Sequence, residues 1–124
     1  MSRLPQILTQ HLLNPCNSGV LTSNSAALGR GENPACGDVL VLYLDLDIEG
    51  NLEARFQAKG CSAVIAVASL ITQALQGLAP AEARSLPIES LVTEAGGLDR
   101  MQSHAIRVMT RALGEALDGL ATGS

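Results

Sequence analysis

Val39-Leu40-Val41-Leu42-Tyr43-Leu44-Asp45-Leu46-Asp47, then Leu52-Glu53-Ala54-Arg55-Phe56-Gln57-Ala58-Lys59, then Gly60-Cys61-Ser62, is the stretch whose reading decides the fold. In the first run Leu40, Leu42, Leu44 and Leu46 share one face of an extended chain, and Val41, Tyr43, Asp45 and Asp47 share the other. In the second run Leu52, Ala54, Phe56 and Ala58 alternate with Glu53, Arg55, Gln57 and Lys59, the pattern of a half-buried strand. Ile48-Glu49-Gly50-Asn51 supplies a turn, so residues 39–47 and 52–59 read as an antiparallel hairpin with coincident apolar faces. After Gly60 the period changes from about 2 to about 3.6. Val64, Ala68, Ile71 and Leu75 predict a helix over 62–76, stopped by Gly77.

Outward from this centre, residues 4–13 carry Leu4, Ile7, Leu8 and Leu12 at helical spacing, and Asn14-Pro15 ends that helix. Residues 14–33 are rich in Asn, Ser and Gly. They read as a loop with one edge strand near 26–30, made irregular by Gly29, Gly31 and Pro34. Pro80 opens a short helix, 85–95 gives a turn and a further helical piece, and Gly96-Gly97 breaks it. Asp99 caps or begins a last helix to about Gly119, with Met101, Ala105, Val108, Ala112 and Ala116 as its inward stripe. Strands first and helices afterwards predict an α+β fold: a small antiparallel sheet of about three strands with helices packed on one face. Residues 1–124 read as a single domain without internal repeats.

The apolar fraction is 47% and the charged fraction 16%, enough for an aliphatic core in a chain whose only aromatics are Tyr43 and Phe56. A net charge of −4 and the lack of a basic, aromatic-rich stripe exclude a nucleic-acid footprint. No apolar run approaches the ~20 residues of a membrane span. Met1-Ser2-Arg3 leads into an amphipathic segment rather than a signal peptide. The expected location is therefore cytoplasmic, where three cysteines are free or metal-bound rather than disulfide-paired.

Cys36 stands in the turn Asn33-Pro34-Ala35-Cys36-Gly37-Asp38 just before the first strand, and Cys61 stands just after the second. The hairpin brings its two outer ends to one edge, so both thiols and the Asp38 carboxylate meet there, a set suited to a soft metal or an iron–sulfur cluster. Cys61, at a helix N-terminus, is placed to favour thiolate, although a small buried apolar role is the commoner fate of a lone cysteine. Asp38 either starts the strand as an acceptor or enters a metal shell.

Asn14-Pro15-x-Asn17, Pro34-Ala35-Cys36-Gly37-Asp38-Val39, the hairpin and Gly60-Cys61-Ser62-Ala63-x-Ile65-Ala66 resemble the NifU/IscU-type iron–sulfur cluster scaffold over nearly the whole chain. The resemblance implies a non-enzymatic scaffold that assembles a cluster, a [2Fe–2S] cluster or zinc in its place. A cysteine desulfurase would deliver sulfur, and the cluster would pass to apo acceptor proteins. It implies Cys36 and Cys61 as two of three cluster cysteines and Asp38 as the aspartate tuning stability and release.

The family's third cysteine, in a His-Cys pair at the start of the last helix, has no counterpart. Anchored on Ala105-Ile106, the pair reads Gly97-Leu98, and the proline-rich chaperone-recognition segment before it is missing. Cys16, in the Asn-Pro loop, is the preferred replacement ligand, because soft thiolates suit clusters. His104 and His11 compete with it for the vacancy, although His104 reads more readily as an edge residue of the last helix and His11 as a partner of helix-terminal carbonyls; Ser103 and Asp99 read as surface or capping residues. The alternatives are an interaction or regulatory protein of the same fold that binds zinc or no metal, and a thiol enzyme using Cys61. The latter lacks a Cys-His pair at a telling spacing.

Overall fold

In the computed structural model, which describes residues 4–122, the chain runs α1 (Gln6–Leu13), β1 (Ala27–Asn33), β2 (Asp38–Leu46), β3 (Leu52–Lys59), α2 (Ser62–Leu75), α3 (Pro80–Arg84), α4 (Ile88–Glu94) and α5 (His104–Thr122). The start at Met1-Ser2-Arg3 lies outside the described residues. The strands form one antiparallel sheet in the order β1-β2-β3. This is the α+β arrangement that the change of period at Gly60 predicts.

The hairpin register sets Leu42 opposite Phe56 and Leu44 opposite Ala54, all buried. Each fully buried leucine contributes about 2 kcal/mol relative to exposure. Val64, Val67, Ala68, Ile71 and Leu75 of α2 join the same buried cluster, as does Leu8 of α1. The outer edge of β3 is closed by borrowed partners. The Gln76 amide accepts from the Ala54 N–H and donates to the Ala54 carbonyl (3.1 and 2.7 Å), standing in for a fourth strand. Further along, Phe56 N–H donates to Asn17 O and Gly19 N–H donates to Phe56 O.

The edge strand expected near 26–30 is present and runs further, paired from Ala27↔Leu44 to Asn33↔Asp38. Gly29 and Gly31 are places where α5 lies on the strand backbone. A Cβ on Gly29 would sit 1.8 Å from the Ala112 carbonyl oxygen, and one on Gly31 2.1 Å from that of Val108. The α5 stripe that meets them, Ala105, Val108, Ala112 and Ala116, is buried and small.

The last helix begins at His104 rather than Asp99. Asp99 N–H donates to Gln102 Oε1, and Gln102 N–H donates to Asp99 Oδ1 (3.2 and 2.9 Å). This reciprocal pair closes a turn, and Ala105 N–H then donates to the Gln102 carbonyl as α5 begins. Met101, assigned by spacing to the inward stripe, lies in that turn and is 81% exposed.

Two buried hydroxyls on α2 anchor the segment after α1. Ser69 Oγ accepts the Cys16 N–H (2.7 Å) and lies 2.7 Å from His11 Nδ1. Thr72 Oγ1 donates back to the Ala68 carbonyl and receives the Asn17 amide. His11 thus meets a side chain of α2 rather than the carbonyls at the end of its own helix. Burial lowers its pKa, outweighing the helix-end dipole that favours the cation. Among the described residues no helix is long and apolar enough to cross a membrane.

Two predictions follow from this packing. Gly29→Ala should cost about 3 kcal/mol, because α5 must lift off β1. Gly114→Ala, on the same helix with open space at its Cβ, should gain about 0.5–1 kcal/mol. Urea denaturation of the two variants checks both signs. For His11, a depressed folded pKa means that the unfolded chain binds more protons in the window from about 6.5 downward. Stability therefore rises with pH through that window and is lost on acidification. The melting temperature should fall between about pH 7.5 and 5.5, and His11→Gln should flatten part of that slope.

Candidate metal centre

Three chain segments converge where β2 begins. Gly37 and the preceding turn, closed by Cys36 N–H donating to Asn33 O, deliver Cys36 and Asp38. Gly60, with φ +117°, ends β3 and delivers Cys61 to the start of α2. The turn at 99–103 delivers His104 to the start of α5. Gly60 is required twice over, by its positive φ and because a Cβ there would lie 2.1 Å from Asp38 Oδ1.

Asp38 is the hub. Its side chain is fully buried, and Oδ1 accepts the Cys61 N–H at 2.6 Å. Oδ2 is buried without a hydrogen bond, 2.8 Å from His104 Nε2. His104 Nδ1 lies 3.0 Å from the Met101 carbonyl, which can only accept, so that nitrogen carries the proton. The other ring nitrogen, Nε2, is then turned toward the Asp38 oxygen, a pair of donor atoms that a cation could bridge. A backbone carbonyl fixing the far nitrogen is the usual support for a metal-ligating histidine.

Ligand atoms of Cys36, Asp38 and His104 all lie within 4.8 Å of one another. Cys61 falls outside that mutual set, but its Sγ is 3.4 Å from the same Nε2. Cys36 is exposed and Cys61 half-buried, and all three cysteines are free. The orphaned buried oxygen, the oriented imidazole and the two thiols form a donor set that fits zinc or iron.

Of the four ligands expected from sequence, Cys36, Asp38 and Cys61 arrive in one neighbourhood and Cys16 does not. Cys16 is tied to Ser69, eight residues beyond Cys61 on α2, or roughly 12 Å of helix. His104, a weaker candidate than Cys16 in the sequence, is the residue that joins Cys36 and Asp38 instead. His104 opens α5, several residues beyond Gly97-Leu98, where the resemblance sets the family's His-Cys pair, and its neighbour is Ala105 rather than a cysteine. Leu98 packs against the core, and Ala105 is fully buried. The missed signal was the helix start: Asp99 and Gln102 spaced to close a turn on each other, moving the first helical residue to His104.

Known proteins are similar to this chain over most of its length. The model of the NifU-like N terminal domain matches residues 5–121. The iron–sulfur cluster assembly scaffold protein IscU of Aquifex aeolicus is 32% identical over 109 residues, covering 86% of this chain and 69% of the relative. IscU of Escherichia coli K12 is 37% identical over 87 residues, 68% of each chain. The zinc-dependent sulfurtransferase SufU of Bacillus subtilis is 40% identical over 72 residues, 58% of this chain and 48% of that one. The crystal structure of a nitrogen-fixing NifU-like protein (N-terminal) from Brucella abortus superposes with a TM-score of 0.73, covering 96% of this chain and 94% of that one. At 16% identity it speaks for the fold alone. With nearly its whole length matched and its thiols, carboxylate and imidazole gathered at one end of the sheet, this chain belongs to the NifU-like N-terminal domain family.

Proposed function

We propose that this domain is an iron–sulfur cluster assembly scaffold, on which iron and sulfur are combined before the cluster passes to an acceptor protein. The observation that carries the reading is the convergence of Cys36, Asp38 and His104 on one point, with Cys61 in contact with the same imidazole. The relatives named as IscU scaffolds support it. The cargo is iron and sulfide, and the partners are a cysteine desulfurase as sulfur source and apo iron–sulfur proteins as recipients.

The burial pattern divides the labour. Cys36 is the exposed thiol and can meet a sulfur donor. Its thiolate attacks the terminal sulfur of a donor persulfide. The donor's S–S bond breaks, a new S–S bond forms on Cys36, and the donor leaves as thiolate. Asp38 and His104 supply the oxygen and nitrogen donors for iron. Cys61, at the start of a helix, supplies the second thiolate.

A second reading has one specific observation in its favour. Two thiols, one imidazole and one carboxylate are also a four-ligand set for zinc, and the SufU relative is named a zinc-dependent sulfurtransferase. Zinc would hold the two thiols as thiolates, while Cys36 would still be the group that accepts sulfur.

Anaerobic reconstitution with ferrous iron and sulfide separates the two. The scaffold reading expects about two iron and two acid-labile sulfide per bound cluster, with visible absorption. Zinc retained in place of iron and sulfide selects the second reading, and failure to hold either overturns both. Cys36→Ser and Cys61→Ser should abolish loading. Asp38→Asn keeps an oxygen for the Cys61 N–H but loses the anionic donor. It should stay folded by circular dichroism yet bind metal at least about tenfold more weakly. Cys16→Ser should load like the parent protein.

A further inference from the structure

A polar groove of about 210 Å³ leads away from the site between α5 and the end of β1, lined in part by His104, Arg107, Arg111, Glu32 and Asn33. It continues past Arg111 into a second hollow of about 360 Å³ beside Pro34. His104, Arg107 and Arg111 are spaced three and four residues apart on α5, so they form one stripe along its wall. Cys36 stands at the head of this stripe, since its ligand atom lies within 4.8 Å of that of His104.

The two guanidiniums are unanswered. Arg30 is paired with Glu32, and Arg84 with Asp118. Arg55 donates to the Asn17 side chain and the Ala54 carbonyl. Arg107 and Arg111 are exposed and make no ion pair or hydrogen bond among the described residues. Glu32, the acid nearest them in the groove, is already offset by Arg30, and Glu115 borders only the far hollow. In a chain of net charge −4, this is a local field of opposite sign beside the exposed thiol.

We propose that this groove docks an acidic segment of the protein that donates sulfur. Arg107 and Arg111 receive carboxylates that flank the donor cysteine and so hold its sulfur at Cys36. The inference rests on Cys36 being the sulfur acceptor, but not on a cluster being assembled. Arginine presents a planar fork to a carboxylate, and two of them one helical turn apart fix direction as well as position. Complementary charge of this kind chiefly raises the rate of encounter.

The test needs neither metal nor the natural donor. In the Cys16→Ser background, the protein is mixed with short peptides whose single cysteine is blocked as the thionitrobenzoate mixed disulfide. Cys36 thiolate attacks the peptide sulfur, and thionitrobenzoate leaves and is read by absorbance. Mass spectrometry assigns the adduct to Cys36. A peptide with two glutamates after its cysteine should react several-fold faster than its glutamine counterpart at low ionic strength. The advantage should vanish near 1 M salt, where the Debye length is about 3 Å. The double variant Arg107→Gln, Arg111→Gln should erase it while the glutamine peptide reacts as before. Arg107→Glu, Arg111→Glu should transfer the preference to a lysine peptide. Equal rates for glutamate and glutamine peptides would overturn the docking site. So would loss of the preference in a few millimolar inorganic phosphate at constant ionic strength, which would mark a site for a free anion. Reconstitution without cluster, beside an intact glutamate preference, would instead count only against the scaffold reading.

Discussion

One buried carboxylate ties the architecture to the site. Asp38 begins β2, accepts the first amide of the α2 turn through Cys61, and faces the first residue of α5 through His104. Burying an ionised carboxylate is costly unless it is compensated. The Cys61 N–H answers one oxygen, and the other has no hydrogen bond. That oxygen lies 2.8 Å from His104 Nε2, so this is the point in the fold where a cation would be best compensated. A metal held there would take donors that the fold already brings together, so the site need not be assembled afresh.

That arrangement depends on how closely α5 lies on β1. An ordinary pair of side chains between helix and strand would push the axis outward and carry His104 away from Asp38. Gly29 and Gly31 remove the side chains from the strand, and Ala112 and Val108 contribute backbone to the contact. The strand's last pair, Asn33↔Asp38, lies next to the turn that carries Cys36. The glycine contact and the ligand geometry are thus fixed by the same two elements.

The periodicity of residues 39–76 made the hairpin, the register of its faces and α2 legible, because burial on one face writes itself directly into the order of residues. The relation of Cys36, Asp38 and Cys61 followed from the hairpin. The edge strand near 26–30 was legible, but not its extension to Asn33 or the reason for Gly29 and Gly31 within it. A glycine needed for close approach and one needed for a turn look alike until the partner helix is known. His104 was legible only as a weaker candidate than Cys16. The turn closed by Asp99 and Gln102 moves the helix start to it, and side-chain periodicity does not show that turn. Cys16 misled because loop proximity was inferred without the two α2 hydroxyls that hold its backbone away from the ligand end.

The composition of the donor set bears on what such a centre is suited to do. Structural zinc and stable clusters favour sites closed by several thiolates. Here only two thiols are present, one of them exposed, and the other donors are a carboxylate and an imidazole 2.8 Å apart. A centre built this way lowers the cost of letting its cargo go. That property suits a carrier better than a permanent cofactor site, and it makes the exposure of Cys36 an advantage: the same opening admits a sulfur donor and a recipient. A fully enclosed set of thiolates would hold its metal more tightly and would give up that exchange.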